Sequence, residues 1–114
     1  MVRKYAAFDN TNTVDTEVSL VTLQSTEAHR KKVIAVHLIY SNNAGRVKIY
    51  KDEDNYFAGD GYFTSGRVTM VNWLTFPFDE ELELGEKFEI TLTNDAAGTN
   101  ASLTGLIEYE QTER

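Results

Sequence analysis

Hydrophobic and polar positions alternate with a period of two through the last third of the chain. Phe88, Ile90 and Leu92 alternate with Lys87, Glu89, Thr91 and Thr93. After a break of small and polar residues, Ala101, Leu103, Gly105, Ile107 and Tyr109 alternate with Ser102, Thr104, Glu108 and Glu110. Successive strand side chains point to opposite faces, so each segment has one apolar and one polar face. The pattern predicts an antiparallel hairpin over residues 85–110, with one side buried and the other wet.

Similar segments precede it. Residues 13–24 have a loose period of two and are rich in Val and Thr, which suits a strand. Residues 25–32 fit a short helical turn that Ser25 or Thr26 could cap. Residues 33–41 (V-I-A-V-H-L-I-Y-S) are almost continuously apolar, as expected of a central strand buried on both faces. Asn42, Asn43, Ala44 and Gly45 tolerate a tight turn, and residues 46–51 alternate again, so this pair reads as a hairpin. Residues 52–66 read as a long surface loop with room for a short strand at Tyr62 and Phe63. Residues 67–76 form a further strand. Pro77, the only proline, is expected to end its ladder because it has no N–H to donate. Residues 1–13 are polar and read as a flexible or surface-docked arm ahead of one domain at 14–114. Seven or eight short strands without a convincing helix predict an all-β fold. The expected form is an antiparallel β-sandwich, jelly-roll-like.

Composition adds boundaries. The chain has 114 residues, 41% hydrophobic and 25% charged, enough to bury a core without staples. It has no cysteine, so disulfides and thiolate metal sites are excluded. The first residues carry no apolar run of secretory length, and no stretch reaches the roughly 20 apolar residues of a membrane helix. The expectation is a product made in the cytoplasm. The net charge of −7 repels nucleic acid at long range, so no nucleic-acid partner is expected. The one basic cluster, His29-Arg30-Lys31-Lys32, reads either as a solvated start of a strand or as a contact for an acidic partner surface.

Candidate chemistry is sparse. His29 and His37 are the only histidines, and His37, inside an apolar run, reads as a hydrogen-bonded core residue rather than a ligand. Asp52, Glu53, Asp54 and Asn55, with Asp60, could supply oxygen ligands to calcium. Counted from Asp52, however, Phe57 and Phe63 occupy the sixth and twelfth positions, where an EF-hand needs Gly and Glu. No metal or cofactor is therefore expected. The acids at Asp79, Glu80, Glu81, Glu83 and Glu86 read as a solvated face rather than a glycosidase pair. There is no nucleophile elbow and no phosphate cradle, and neither histidine has an evident nucleophile partner in the sequence. An enzyme is not expected. The Asn100-Ala101-Ser102 triplet reads as a chance match to a glycosylation acceptor.

Aromatic side chains remain. Tyr56, Phe57, Tyr62 and Phe63 crowd the 52–66 loop, and Trp73 sits on the strand that follows. They read as anchors for protein–protein contact, as rings folded back to close the sandwich, or, with Trp73, as a platform for sugar rings. The candidate partner contacts are thus Tyr56, Phe57, Tyr62 and Phe63, with Arg30, Lys31 and Lys32 as the basic counterpart.

The segments L-T-F-P-F-D-E-E-L-E-L-G-E-K-F-E-I-T-L-T-N (74–94) and A-G-T-N-A-S-L-T-G-L-I-E-Y-E (97–110) join a proline-ended strand, an acidic turn closing on glycine and a last strand with G-L-I-E-Y. This resembles the closing strands of the small jelly-roll capsid decoration, or cement, proteins of tailed phages. The resemblance covers roughly the last 40 residues and carries no site residues. It implies a homo-oligomer, a trimer or a dimer, that binds the major capsid protein on the virion surface and stabilises an icosahedral head. The alternative is a carbohydrate-binding β-sandwich module, as in a fibre tip or lectin.

Overall fold

The computed structural model describes residues 2–12, 16–42, 45–57, 59, 61–64, 74–94 and 101–113. Among these residues there are nine strands and no helix. They are β1 (Val2–Asn12), β2 (Val18–Gln24), β3 (His29–Asn42), β4 (Gly45–Lys51), β5 (Asp54–Asn55), β6 (Phe63–Thr64), β7 (Leu74–Leu82), β8 (Lys87–Asn94) and β9 (Ala101–Glu113). One sheet has the order β1-β9-β3-β7, and the other has β2-β8-β4-β5 with β6 also on β4. All pairings are antiparallel. The expected antiparallel β-sandwich is what the chain forms, with β5 and β6 as two-residue additions to the expected number of strands.

The apolar faces meet between the sheets. Val33, Val36 and Leu38 of β3 and Leu103 and Ile107 of β9 lie against Val47 and Ile49 of β4 and Phe88, Ile90 and Leu92 of β8. All are 0–1% exposed, and each stabilises the fold by roughly 1.5–3 kcal/mol relative to exposure.

The pairing is nested. β1 pairs with β9, β2 with β8, β3 with β7, and β4 with β5 and β6. Consecutive strands therefore lie in opposite sheets more often than side by side. This corrects two expected hairpins. β8 and β9 do present apolar faces, but to each other across the core, in different sheets. β3 and β4 are likewise split between the sheets. Period-two alternation fixes which face is buried and carries no information about which strand lies alongside.

Further expectations give way. Residues 1–13 are not an arm over Val2–Asn12, which pairs with β9 throughout. Among the described side chains of that strand only Ala6, Phe8 and Asn12 are at least partly buried, so its apolar signal is thin. Asn12 replaces a hydrophobe with hydrogen bonds: its Nδ2 donates to the Thr16 and Leu92 carbonyls at 2.8 Å. Asn94 Nδ2 donates back to the Asn12 carbonyl at 3.3 Å, tying one sheet to the other.

Residues 25–32 form no helical turn. The Ser25 hydroxyl and the Thr26 N–H both bond the His29 carbonyl, closing a turn that carries the chain between sheets, and β3 begins at His29. β3 is central but not buried on both faces, since His37 and Ile39 are half-buried and Tyr40 is exposed. Pro77 does not end a ladder. It lies within β7 opposite Ala35, where an edge strand tolerates a missing N–H. Of the predicted strand at 67–76, residues 67–73 lie outside the described residues, as do Asp60, Trp73 and Asn100.

Candidate interaction surfaces

The β5–β6 segment is built by Asn55. Its Oδ1 accepts the Phe57 N–H at 3.1 Å, and its Nδ2 donates to the Gly59 and Gly61 carbonyls at 3.0 and 2.8 Å. Asp52, at φ 54°, makes the preceding turn and accepts the Lys87 N–H at 2.9 Å. An aspartate tolerates that left-handed conformation better than most residues. Among the described residues no group of three or more acidic or histidine side chains is placed to hold a metal.

This frame turns Tyr56 and Phe57 onto the protein itself. Tyr56 sits edge-on to Phe78, with ring centroids 4.9 Å apart, and 5.8 Å from Phe88. Phe57 meets Phe76 edge-on at 6.2 Å. Burial raises the Tyr56 phenol well above its ordinary value, and the neighbouring Glu80 carboxylate adds to the shift. Glu80 also takes the Lys51 ammonium at 2.6 Å. Tyr62 stays exposed and lies 5.6 Å from the Arg46 guanidinium, a cation–π arrangement. Phe63 enters the second sheet opposite Val47; its side chain lies outside the described residues.

The basic cluster occupies the start of β3. Arg30, Lys31 and Lys32 line a cleft of about 340 Å³ with Glu81, Glu110 and Thr112. Lys31 Nζ donates to the Gln24 carbonyl at 2.7 Å, and Lys32 Nζ lies 2.6 Å from Asp79. That carboxylate holds the Lys32 ammonium above the usual lysine range. Within the cluster Lys32 is thus paired with an acid of its own chain and Lys31 with a backbone carbonyl. The seven candidate residues fall into separate groups: Tyr56 and Phe57 against β7 and β8, Tyr62 and Phe63 beside β4, and the three cations on β3.

A polar row that the sequence reading missed crosses the outer face of the first sheet. Arg3 of β1 bonds Glu108 and, at 3.1 Å, Glu110 of β9. Glu108 Oε1 lies 2.8 Å from His37 Nε2 on β3, and His37 Nδ1 lies 3.1 Å from Thr75 Oγ1 on β7. His37 is therefore not a core histidine, and a hydroxyl partner does stand beside it. The hydrogen bonds from His37 and Arg3 hold the Glu108 carboxyl below the usual carboxylate range. A carboxylate only accepts, so His37 Nε2 carries a proton. The signal was parity: with Val36 and Leu38 facing inward, His37 must face outward, as must Glu108 between Ile107 and Tyr109. The row runs across a sheet face whose two central strands, β3 and β9, have partners on both sides. What the row does is join four strands through side chains. Comparison of the chain with protein-family models, curated proteins and solved structures gave no match.

Proposed function

We propose that this protein is a non-enzymatic structural virion protein: a decoration, or cement, subunit that binds the major capsid protein and stabilises an icosahedral phage head. The observation that carries the reading is the nested pairing of β1 with β9, β2 with β8, β3 with β7 and β4 with β5 and β6. A long hairpin rolled into two facing sheets has this order, which supports a jelly-roll topology, common in capsid and lectin domains. A wall-like scaffold crossed by a polar row suits a load-carrying role. The carbohydrate-binding alternative is less well supported, because Tyr56, one of its candidate rings, is spent on Phe78 and Phe88.

The test is whether the protein co-purifies with tailed-phage heads from the strain that encodes it, and whether heads without it leak DNA at lower temperature. Recovery in the soluble fraction alone, with equally stable heads in its absence, overturns the reading. A glycan array on the same preparation decides the alternative.

A further inference from the structure

A sheet edge is a row of unpaired N–H and C=O groups, and proteins usually blunt such edges. Here β7 carries Pro77 and a register shift against β3. β2 carries a register shift between Ser19 and Val21, and β5 and β6 have two residues each. β1 has none of these devices. It pairs with β9 from Val2 opposite Gln111 to Asn12 opposite Ala101 without a shift, contains no proline, and among the described residues has no other strand partner. Its side chains are open as well. Tyr5 is 59% exposed, more than any other large hydrophobic residue among those described, and Val2 is 56% exposed.

We propose that β1 is a self-association edge: the β1 strand of a second copy pairs with it antiparallel about a two-fold axis at Ala6, joining two four-stranded sheets into one. The sequence of the strand selects this occupant. Arg3 and Lys4 mark one end and Asp9 the other, so antiparallel pairing brings unlike charges together and parallel pairing brings like charges together. β1 carries +1 from these three residues in a chain of −7, whereas the other edge of the same sheet, β7, carries −3 from Asp79, Glu80 and Glu81, so two copies repel less through β1 than through β7.

The register follows from the faces, since directly opposed residues share a side of the sheet. Centring on Ala6 places Arg3 opposite the second copy's Asp9, the exposed Tyr5 opposite its Ala7, and the Lys4 stem opposite its Phe8. Centring on Tyr5 or on Ala7 leaves no cation opposite Asp9. An isologous contact of this kind closes on itself as a dimer. The inference rests on the edge and not on the capsid reading: it fails on a monomer in solution, whereas that reading fails on heads that never carry the protein.

The experiment uses the absence of native cysteine. Light scattering across a concentration series should give twice the 12.9 kDa chain mass. Ala6→Cys places a thiol opposite its own copy, at a Cβ separation of about 4.5–5.5 Å that a small shift brings within disulfide reach. Under mild oxidation it should cross-link at least about tenfold faster than Thr22→Cys on the opposite sheet, a gap of about 1.4 kcal/mol in barrier. Tyr5→Ser, at an exposed position, should weaken the dimer about tenfold without changing the circular dichroism, and it decides the matter alone if Ala6→Cys does not fold. A monomer at every concentration overturns the proposal. So does a dimer in which Ala6→Cys cross-links no faster than Thr22→Cys, or one that Tyr5→Ser leaves as tight. Capture of an unrelated protein along β1 by a chain that stays monomeric overturns it too.

Discussion

His37 Nε2 and Glu108 Oε1 stand 2.8 Å apart across the β3–β9 ladder, on the solvent side of the sheet. Through Arg3 on one flank and Thr75 on the other, that contact links the two edge strands to the two central ones. The side chain of Glu108 is 17% exposed, so water screens it only in part. Such a row resists shear between strands, which backbone ladders alone tolerate less well at a bulge, and β3 is bulged near Ile34 and Ile39.

The first expected outcome concerns pH. Because the Glu108 carboxyl is held below its ordinary value of 4.5, folding favours its charged form. That stability is present above the unfolded value and is lost as pH falls through the folded one. Glu108→Gln should lower the urea midpoint at pH 7, and the gap to wild type should close as pH falls below the ordinary value of 4.5. A gap that stays constant down to pH 3 would remove the ionic part of the argument.

Gly105 makes a second test, because the space there is already taken. A Cβ at this position would collide with the His37 carbonyl oxygen and lie 2.9 Å from Phe8 Cζ. The ring of Phe8, opposite in register, covers the glycine, so β1 is docked partly through this gap. Gly105→Ala should cost about 1–3 kcal/mol or more, and the carbonyl contact cannot be relieved by rotating a side chain. Urea unfolding followed by circular dichroism reads it. An unchanged midpoint would show that the His37 carbonyl and the Phe8 ring leave more room at Gly105 than this packing gives.

Legibility in the sequence followed a physical divide. Alternation at residues 87–93 and 101–109 marks the apolar faces of β8 and β9, because hydrophobicity is a property of a strand's own side chains, but Thr91 and Thr93, expected on a wet face, are buried as well. It could not name their neighbours, because pairing in a nested order joins segments as distant as Val2 and Gln111. The strand at Val2–Asn12 was hidden for a different reason. Its inward positions are small, aromatic or amide rather than a run of aliphatics, and Asn12 is buried through hydrogen bonds that only the folded chain supplies. His37 was misplaced by reading its apolar neighbours as an environment rather than as a parity. Tyr56 and Phe57 were named as contacts, and one of the alternatives weighed for them, rings closing the sandwich, matches their packing on Phe78, Phe88 and Phe76.

Tyr56 should therefore act on stability. Tyr56→Ser removes a ring that is 38% exposed, so roughly 1–2 kcal/mol is lost, and the melting temperature should fall by several degrees while the oligomeric state stays the same. Tyr56→Phe keeps the ring. Its phenol, raised by burial above the ordinary value of 10.0, favours the folded state below that pH, and the contribution is lost as pH rises through the folded value. Tyrosinate absorbance recorded with circular dichroism should show the last phenol of wild type ionising together with sheet loss, and Tyr56→Phe should hold its sheet to higher pH. Dissociation of a still-stable Tyr56→Ser oligomer would instead make this ring an intermolecular anchor.

Pro77 supplies the last test, since it distinguishes an edge that merely lacks a partner from one kept from finding one. β7 pairs only with β3 among the described strands, and Pro77 removes one donor from it. Proline is accommodated at an edge when the absent N–H would have pointed to solvent. Pro77→Thr, which restores that donor and suits a strand, should leave the melting temperature within about 2 °C, because no buried contact changes. It should also give β7 a second pairing edge, read as concentration-dependent growth in light scattering beyond the wild-type mass. Combining it with Tyr5→Ser separates the two edges: growth through β7 persists in the double variant, while association through β1 weakens. A Pro77→Thr protein that keeps the wild-type mass at high concentration would assign the protection of β7 to its register shift and its acids, Asp79, Glu80 and Glu81, rather than to the proline.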